Sequence, residues 1–202
     1  MTTSYWYTPK LLDMKHIIFI LSLILSFSTY GQQPVHNFTL TNVVDGSKIS
    51  LDGYPSCTGL VAIFTSNDCA FDNYYTSRIK SLVDRYAGKI QFILINSYLE
   101  PEESVEKMAA EYRTWDLHIP YLTDKDQTAM DCMGAKKSPE AFLLKNMGNN
   151  YVLVYSGAID DNAQVPTDVK ETYLVNSIDK LIAGQKIEVP SVRAAGCSIR
   201  RK

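Results

Sequence analysis

Two runs of mostly apolar residues, Leu60-Val61-Ala62-Ile63-Phe64 and Ile90-Gln91-Phe92-Ile93-Leu94-Ile95-Asn96, have the length and continuity of strands buried on both faces. Between them, residues 74–86 repeat their apolar positions at helical spacing, and Gly88 serves as a stop. Upstream, Phe38-Thr39-Leu40-Thr41 and Lys48-Ile49-Ser50-Leu51 alternate on either side of Val43-Val44-Asp45-Gly46-Ser47, a hairpin signal carried by Asp-Gly. Downstream, a charged helical stretch (102–115) is entered through Pro101, followed by a short extended piece, Ile119-Pro120-Tyr121-Leu122. Residues 128–133 form a brief helix ending at Gly134. Ala141-Phe142-Leu143-Leu144 and Tyr151-Val152-Leu153-Val154-Tyr155 flank a turn over 146–150, and a last helix over 169–182 stops at Gly184. Strand–helix alternation followed by an antiparallel hairpin predicts an α/β fold: a mixed sheet with helices on both faces and a β-hairpin at its N-terminal side.

The N-terminal segment has a different pattern. Met14-Lys15-His16 precedes eleven residues, 17–27, that are apolar except for Ser22 and Ser26, and small residues follow up to Gly31. A short basic start, an apolar stretch of this length and a small-residue exit describe a secretory signal peptide. Eleven helical residues span about 16 Å, short of the roughly 30 Å hydrocarbon core, so no stable membrane anchor is expected after cleavage. No cysteine stands at the exit to take a lipid. Met14 reads as the start of this signal, and the expected location is exported, periplasmic or otherwise outside the cytoplasm. The expected organisation is an N-terminal extension and signal over 1–31, a folded domain over 32–184 and a tail over 185–202.

With 202 residues, 46% of them apolar and 21% charged, the chain has the composition of a globular protein of common domain size. A net charge of −2 gives no basic excess, so a nucleic-acid partner is not expected. The three histidines, His16, His36 and His118, are too few and too scattered for a histidine-based metal site. All four cysteines, Cys57, Cys69, Cys132 and Cys197, lie after the signal, and an even count in an exported protein permits disulfides. Buried free thiols are the alternative, because a domain of this size does not need disulfides to fold. No close Cys-x-x-Cys pair exists, so no zinc site is expected.

The chemically informative cysteine is Cys69, where the first buried strand gives way to a helix. Unsatisfied backbone N–H groups and the positive end of a helix dipole favour thiolate there. Asp68 beside it works in the opposite direction. The motif is Ser66-Asn67-Asp68-Cys69, so a Ser66 stands where a dithiol pair would carry its first cysteine.

Several segments, taken in order, resemble a known family. They are Phe64-Thr65-Ser66-Asn67-Asp68-Cys69, Tyr75-Thr76-Ser77-Arg78-Ile79, Ser138-Pro139-Glu140-Ala141-Phe142-Leu143, Gly157-Ala158-Ile159-Asp160-Asp161-Asn162 and Gly196-Cys197-Ser198-Ile199, preceded by the hairpin over 38–51. The set resembles exported redoxin-type proteins of the thioredoxin-like superfamily, near the alkyl hydroperoxide reductase and thiol-specific antioxidant group. The resemblance runs from Phe38 to the end of the chain. It implies a thioredoxin-like fold and a Cys-x-x-Cys-Pro junction whose first cysteine matches Ser66, second matches Cys69 and proline matches Ala70. Cys69 then takes the inner position, normally that of the resolving thiol. Ser138-Pro139 matches the loop where such proteins place a cis-proline against the active cysteine. Ser66-x-x-Cys69 also echoes the peroxiredoxin Thr/Ser-x-x-Cys, but the proline expected four residues before the Ser is Ala62.

Reach along the chain constrains the remaining cysteines. The chain between Cys57 and Cys69 spans roughly 25–35 Å as a strand, which places them at opposite ends of the sheet. Cys132, in the brief helix, reads as a small buried thiol. The tail from Gln185 to Gly196 can extend roughly 40 Å, so Cys197 can staple to Cys57 or reach Cys69. Asp160-Asp161-Asn162 reads as a solvated turn with weak cation potential, and Arg200-Arg201-Lys202 as a solvated end. The functional expectation is a thiol-dependent oxidoreductase using Cys69 and Cys197, with Ser66 and Pro139 in the site and no cofactor or metal. Its partners would be a protein dithiol or disulfide, or a small peroxide. The competing expectation is a binding or structural module that has lost its chemistry at Ser66.

Overall fold

The computed structural model describes residues 34–148 and 150–202. The signal-peptide reading, the start at Met14 and the first two residues of the expected folded domain lie outside these residues.

In chain order the strands are β1 (Pro34–Val35), β2 (Thr39–Asn42), β3 (Lys48–Ser50), β4 (Gly59–Phe64), β5 (Ile90–Asn96), β6 (Tyr121–Thr123), β7 (Lys137–Ser138), β8 (Glu140–Asn146), β9 (Tyr151–Gly157), β10 (Ser191–Val192) and β11 (Cys197–Ser198). The α-helices among the described residues are α1 (Ala70–Arg85), α2 (Val105–Tyr112), α3 (Thr128–Met133) and α4 (Tyr173–Ile182). The main sheet runs β1-β9-β8-β4-β5-β6-β2-β3, with β10 added beside β9. β4 lies parallel to β5 and β5 to β6, while β8 and β9 run antiparallel, so the sheet is mixed as the element order implies.

β4 organises the interior because every one of its residues is buried. Its side chains alternate between two apolar layers. Val61 and Ile63 pack with Tyr75, Ile79 and Leu82 of α1, Met108 of α2, and Leu174 and Ile178 of α4. Leu60, Ala62 and Phe64 pack with Ala129 and Met130 of α3 and with Phe38 and Leu40 of the hairpin side. A strand with helices on both faces has no solvated side, which is why its sequence is continuously apolar rather than alternating.

Element boundaries depart from the apolar pattern at three places. α1 begins at Ala70 rather than Tyr74, because its first turn turns Asp72 inward and so shows no apolar repeat. The charged stretch divides at Ser104, whose side chain accepts from Lys107 N–H and caps α2; a short 3-10 turn, Pro101–Glu103, precedes it. α4 starts only at Tyr173, since the chain before it is held extended by bonds from Asp161 N–H to Glu171 O (3.1 Å) and from Leu174 N–H to Ile159 O (3.1 Å). The tail is also more ordered than its sequence suggests. β10 adds a parallel strand to β9, and Gly157, at φ 126°, leaves the space that β10 needs: a Cβ there would lie 1.6 Å from Val192 O.

Ile63 is fully buried between the sheet and its helices. Ile63→Ala is expected to lower the unfolding free energy by about 2–5 kcal/mol, read by urea denaturation of the oxidised protein. A loss below about 1 kcal/mol would contradict the packing described.

Candidate active site

Cys69 is the N-cap residue of α1, in extended backbone (φ −96°, ψ 116°), with its side chain 1% exposed. β4 delivers it: the strand ends at Phe64, and the loop Thr65–Asp68 turns the chain into the helix. At the N-cap, the first N–H groups of α1 lack intrahelical partners, so a thiolate on Cys69 is stabilised by them and by the helix dipole. Asp68, the neighbouring acid, is exposed, and water screens its opposing effect.

Cys69 is bonded to Cys197, 128 residues further on, with their Cα atoms 6.0 Å apart. The tail therefore crosses the sheet to Cys69 rather than stapling to Cys57, and Cys57 and Cys132 are free and half-buried. Burial, with Asp124 and Asp131 nearby, pushes the Cys132 thiol pKa up.

The tail reaches Cys69 by pairing with the strand just before Pro139. β11 runs antiparallel to β7, with Cys197 opposite Ser138 and Ser198 opposite Lys137. The Ser138–Pro139 peptide is cis. Cys69 Sγ lies 3.5 Å from Ser138 O. Gly196 passes so close that a Cβ there would lie 2.1 Å from Ser138 O, an approach only glycine permits. Tyr98 Oη donates to Cys197 O (3.0 Å) and lies 3.1 Å from Ser138 Oγ. The structure thus brings Cys69, Cys197 and Pro139 to one point.

Ser66, the fourth sequence candidate, is committed elsewhere. It is 2% exposed and donates to Glu103 Oε1 (2.5 Å). Glu103, itself 1% exposed, also accepts from Asn67 N–H (3.0 Å), Asp68 N–H (3.2 Å) and Asn96 Nδ2 (2.6 Å). Tyr121 Oη donates to Asn67 Oδ1 (3.1 Å), and Lys125 Nζ reaches Asn96 Oδ1 (3.3 Å), with burial lowering its pKa. One buried carboxyl group therefore sets the shape of the loop that presents Cys69.

A second buried carboxyl group faces the disulfide side. Asp72 accepts from Ser138 Oγ at Oδ2 (2.7 Å), while Oδ1 has no hydrogen-bond partner. Burial is the main cause that pushes its pKa up to about 7; the hydrogen bond from Ser138 opposes the rise, and the charge of Glu103 adds to it. Tyr98 is likewise pushed up by burial. Asp72, Glu103 and Tyr98 were not legible as site residues: Glu103 sits in a stretch that reads as a charged helix, and Asp72 in a turn without apolar periodicity. The one available signal was an acid three residues after a helix-capping cysteine.

Two polar clusters depart from their sequence reading. Asp160 is 7% exposed rather than solvated, because it accepts from Tyr75 Oη (2.7 Å), Arg78 Nη1 (2.6 Å) and Asn162 N–H (3.1 Å). The guanidinium takes the place a cation would need. Arg200-Arg201-Lys202 is anchored on the α3 side by Gln127 and by ion pairs to Asp131 and Asp126. Between the Asp160 cluster and the tail lies a cavity of about 190 Å³, lined among others by Tyr75, Pro139, Asp160, Tyr173, Val192 and Arg193.

No protein-family model and no curated protein sequence matches the chain. Solved structures do. A hypothetical protein of Sinorhizobium meliloti superposes with a TM-score of 0.74 at 26% identity, over 87% of this chain and 96% of the other. An uncharacterized conserved protein of Geobacillus kaustophilus gives 0.75 at 26% identity, over 85% and 92%. The exposed lipoprotein thioredoxin of Streptococcus pneumoniae gives 0.55 at 16% identity, over 71% of this chain and 99% of the other. The chain has the thioredoxin-like fold.

Asp72 makes stability depend on pH. Its carboxyl group holds its proton to about pH 7 when folded and only to the ordinary 3.8 when unfolded. Its contribution is therefore complete below the unfolded value and is lost as pH rises through 7. Asp72→Asn is expected to gain on the wild type between pH 4 and 8, by up to about 4 kcal/mol in urea unfolding of the oxidised forms. Parallel pH profiles would refute the buried, proton-bearing state.

Proposed function

We propose that this chain is a thiol-dependent oxidoreductase in which Cys69 attacks and Cys197 resolves, acting on disulfides or small peroxides outside the cytoplasm. The observation that carries this reading is the Cys69–Cys197 bond at the N-cap of α1, beside the Ser138–Pro139 peptide. A cysteine meant only to staple the fold gains nothing from a helix N-terminus, whereas a thiol that must leave or attack as thiolate does.

Toward a disulfide, the Cys69 thiolate attacks one sulfur, and the other leaves as a thiolate that takes a proton. Cys197 then attacks Cys69 Sγ, closes the internal disulfide and expels the second substrate thiolate, so two electrons pass from the chain to the substrate. Toward a peroxide, Cys69 attacks one oxygen and becomes a sulfenic acid, the other oxygen leaving as water or an alcohol; attack by Cys197 then releases water. Asp72, joined to the β7–β11 junction through Ser138, is placed to exchange a proton with the site near neutral pH. A dithiol reductant regenerates the pair by attacking Cys197, the more exposed of the two sulfurs, with Cys69 as the stabilised leaving thiolate. Neither path needs an organic cofactor or a metal. The apolar stretch 17–27 with its small-residue exit to Gly31 supports export, and the proposed organisation is a domain over 32–184 whose tail, 185–202, brings the second thiol to the site.

A second reading rests on the near-complete burial of Cys69 under the tail: a thioredoxin-fold binding or structural module stapled shut, its dithiol motif lost at Ser66. The two separate on one comparison. The redox reading expects the reduced protein to react rapidly at Cys69 with an alkylating agent near pH 7 and to consume disulfide or peroxide with dithiothreitol as reductant. Cys69→Ser should abolish turnover, and Cys197→Ser, added without dithiothreitol, should stop after one event with Cys69 left as a mixed disulfide or sulfenic acid. Turnover that survives Cys69→Ser, or a reduced Cys69 inert to alkylation in the folded protein, would overturn it.

A further inference from the structure

Past Cys197 the chain is held by more than its disulfide. Ile199 is 8% exposed within the apolar layer on the α3 side, and its N–H donates to Lys136 O (2.9 Å). Gln127, 3% exposed and in left-handed backbone (φ 57°), turns its side-chain amide onto the tail. Its Nε2 donates to Arg200 O (2.7 Å) and to Ser97 O (3.1 Å), and its Oε1 accepts from Lys202 N–H (2.9 Å). One carboxamide thereby pairs with a carbonyl and an N–H two residues apart, as the peptide group of a neighbouring strand would. The ion pairs Arg201–Asp131 (2.9 Å) and Lys202–Asp126 (3.1 Å) are exposed and add little alone. None of these contacts involves a sulfur.

We propose that Gln127 is a positioning residue that latches residues 199–202 independently of the disulfide, so that Cys197 stays beside Cys69 in the reduced protein. The latch itself stands on geometry alone; its chemical consequence rests on the redox reading above. When glutathione disulfide oxidises the pair, one protein thiolate breaks the glutathione S–S bond, forms a mixed disulfide and releases one glutathione thiolate. The other protein thiolate then attacks the protein sulfur of the mixed disulfide and expels the second glutathione thiolate. Two electrons pass to glutathione, and the two protons of the original thiols end on the two glutathione products. The second step is intramolecular, so its rate and equilibrium scale with the effective concentration of one thiol at the other. The latch raises that concentration by removing the freedom of the tail.

The test uses the folded domain with its whole tail, as wild type, as Gln127→Ala and as a chain ended at Ser198. Each is equilibrated in glutathione redox buffers, and mass spectrometry follows the mixed disulfide and the closed form. Gln127→Ala is expected to lower the effective concentration, and to lengthen the life of the mixed disulfide, by about tenfold or more, the scale of two lost hydrogen bonds. The chain ended at Ser198 should do the same, and carries the measurement if Gln127→Ala does not fold. Wild-type values in these variants would overturn the proposal. Amide hydrogen exchange on Cys197→Ser, which cannot form the bond, separates the latch from the chemistry. Protection at Ile199 and Lys202 supports the latch even if the wild-type thiols ignore glutathione, an outcome that would sink the redox reading alone. Unprotected exchange at both amides overturns the latch whatever the thiols do.

Discussion

The site is assembled around one residue, Ser138. Its carbonyl lies against Cys69 Sγ, its backbone pairs with Cys197, its hydroxyl donates to Asp72 and Tyr98 reaches it from the opposite side. Ser138 ends β7, and after Pro139 the chain enters β8, which lies beside β4, so the strand receiving Cys197 runs directly into the neighbour of the strand that leads to Cys69. The two sulfurs meet because β11 pairs with β7 at Ser138, whose carbonyl lies against Cys69 Sγ. Gly196 completes this arrangement by letting the tail lie flush on the Ser138 peptide.

Around that point the protein buries two carboxyl groups with different partners. Glu103 receives four hydrogen bonds from the loop and from Asn96, so it has the satisfied surroundings that a buried charge requires. Asp72 receives one from Ser138 and leaves an oxygen unpaired, so it resists ionisation. Ser66 belongs to the first of these groups. A hydroxyl where a dithiol motif would place a thiol thus serves the shape of the loop, and the second thiol comes from the tail instead.

Much of this fold was legible because it rests on continuity of apolar sequence. β4, β5, the two hairpins and the body of α1 are each written in consecutive residues, and a mixed sheet with helices on both faces follows from their order. The site was legible only where its chemistry is local: a cysteine at a strand-to-helix junction, a serine-proline before a strand. What depends on distant partners was hidden. Asp160 reads as solvated until Tyr75 and Arg78 are folded against it. The basic end reads as loose until Gln127, more than seventy residues earlier, meets its backbone. Chain reach alone allowed Cys197 either end of the sheet, and only the pairing of β11 with β7 decides between them.

The Cys69–Cys197 bond closes a loop of 128 residues, which holds β5, β6, β8, β9 and all four described helices between its ends. In the chain-entropy account, a crosslink of that span removes about 5 kcal/mol of freedom from the unfolded chain. Folding and oxidation are then two faces of one equilibrium. Whatever favours the folded domain draws the two sulfurs together, and opening the bond returns that entropy to the unfolded ensemble. The protein therefore carries its electron pair in the same coordinate that measures its own durability, and each reduction leaves a domain closer to unfolding than the one that was oxidised.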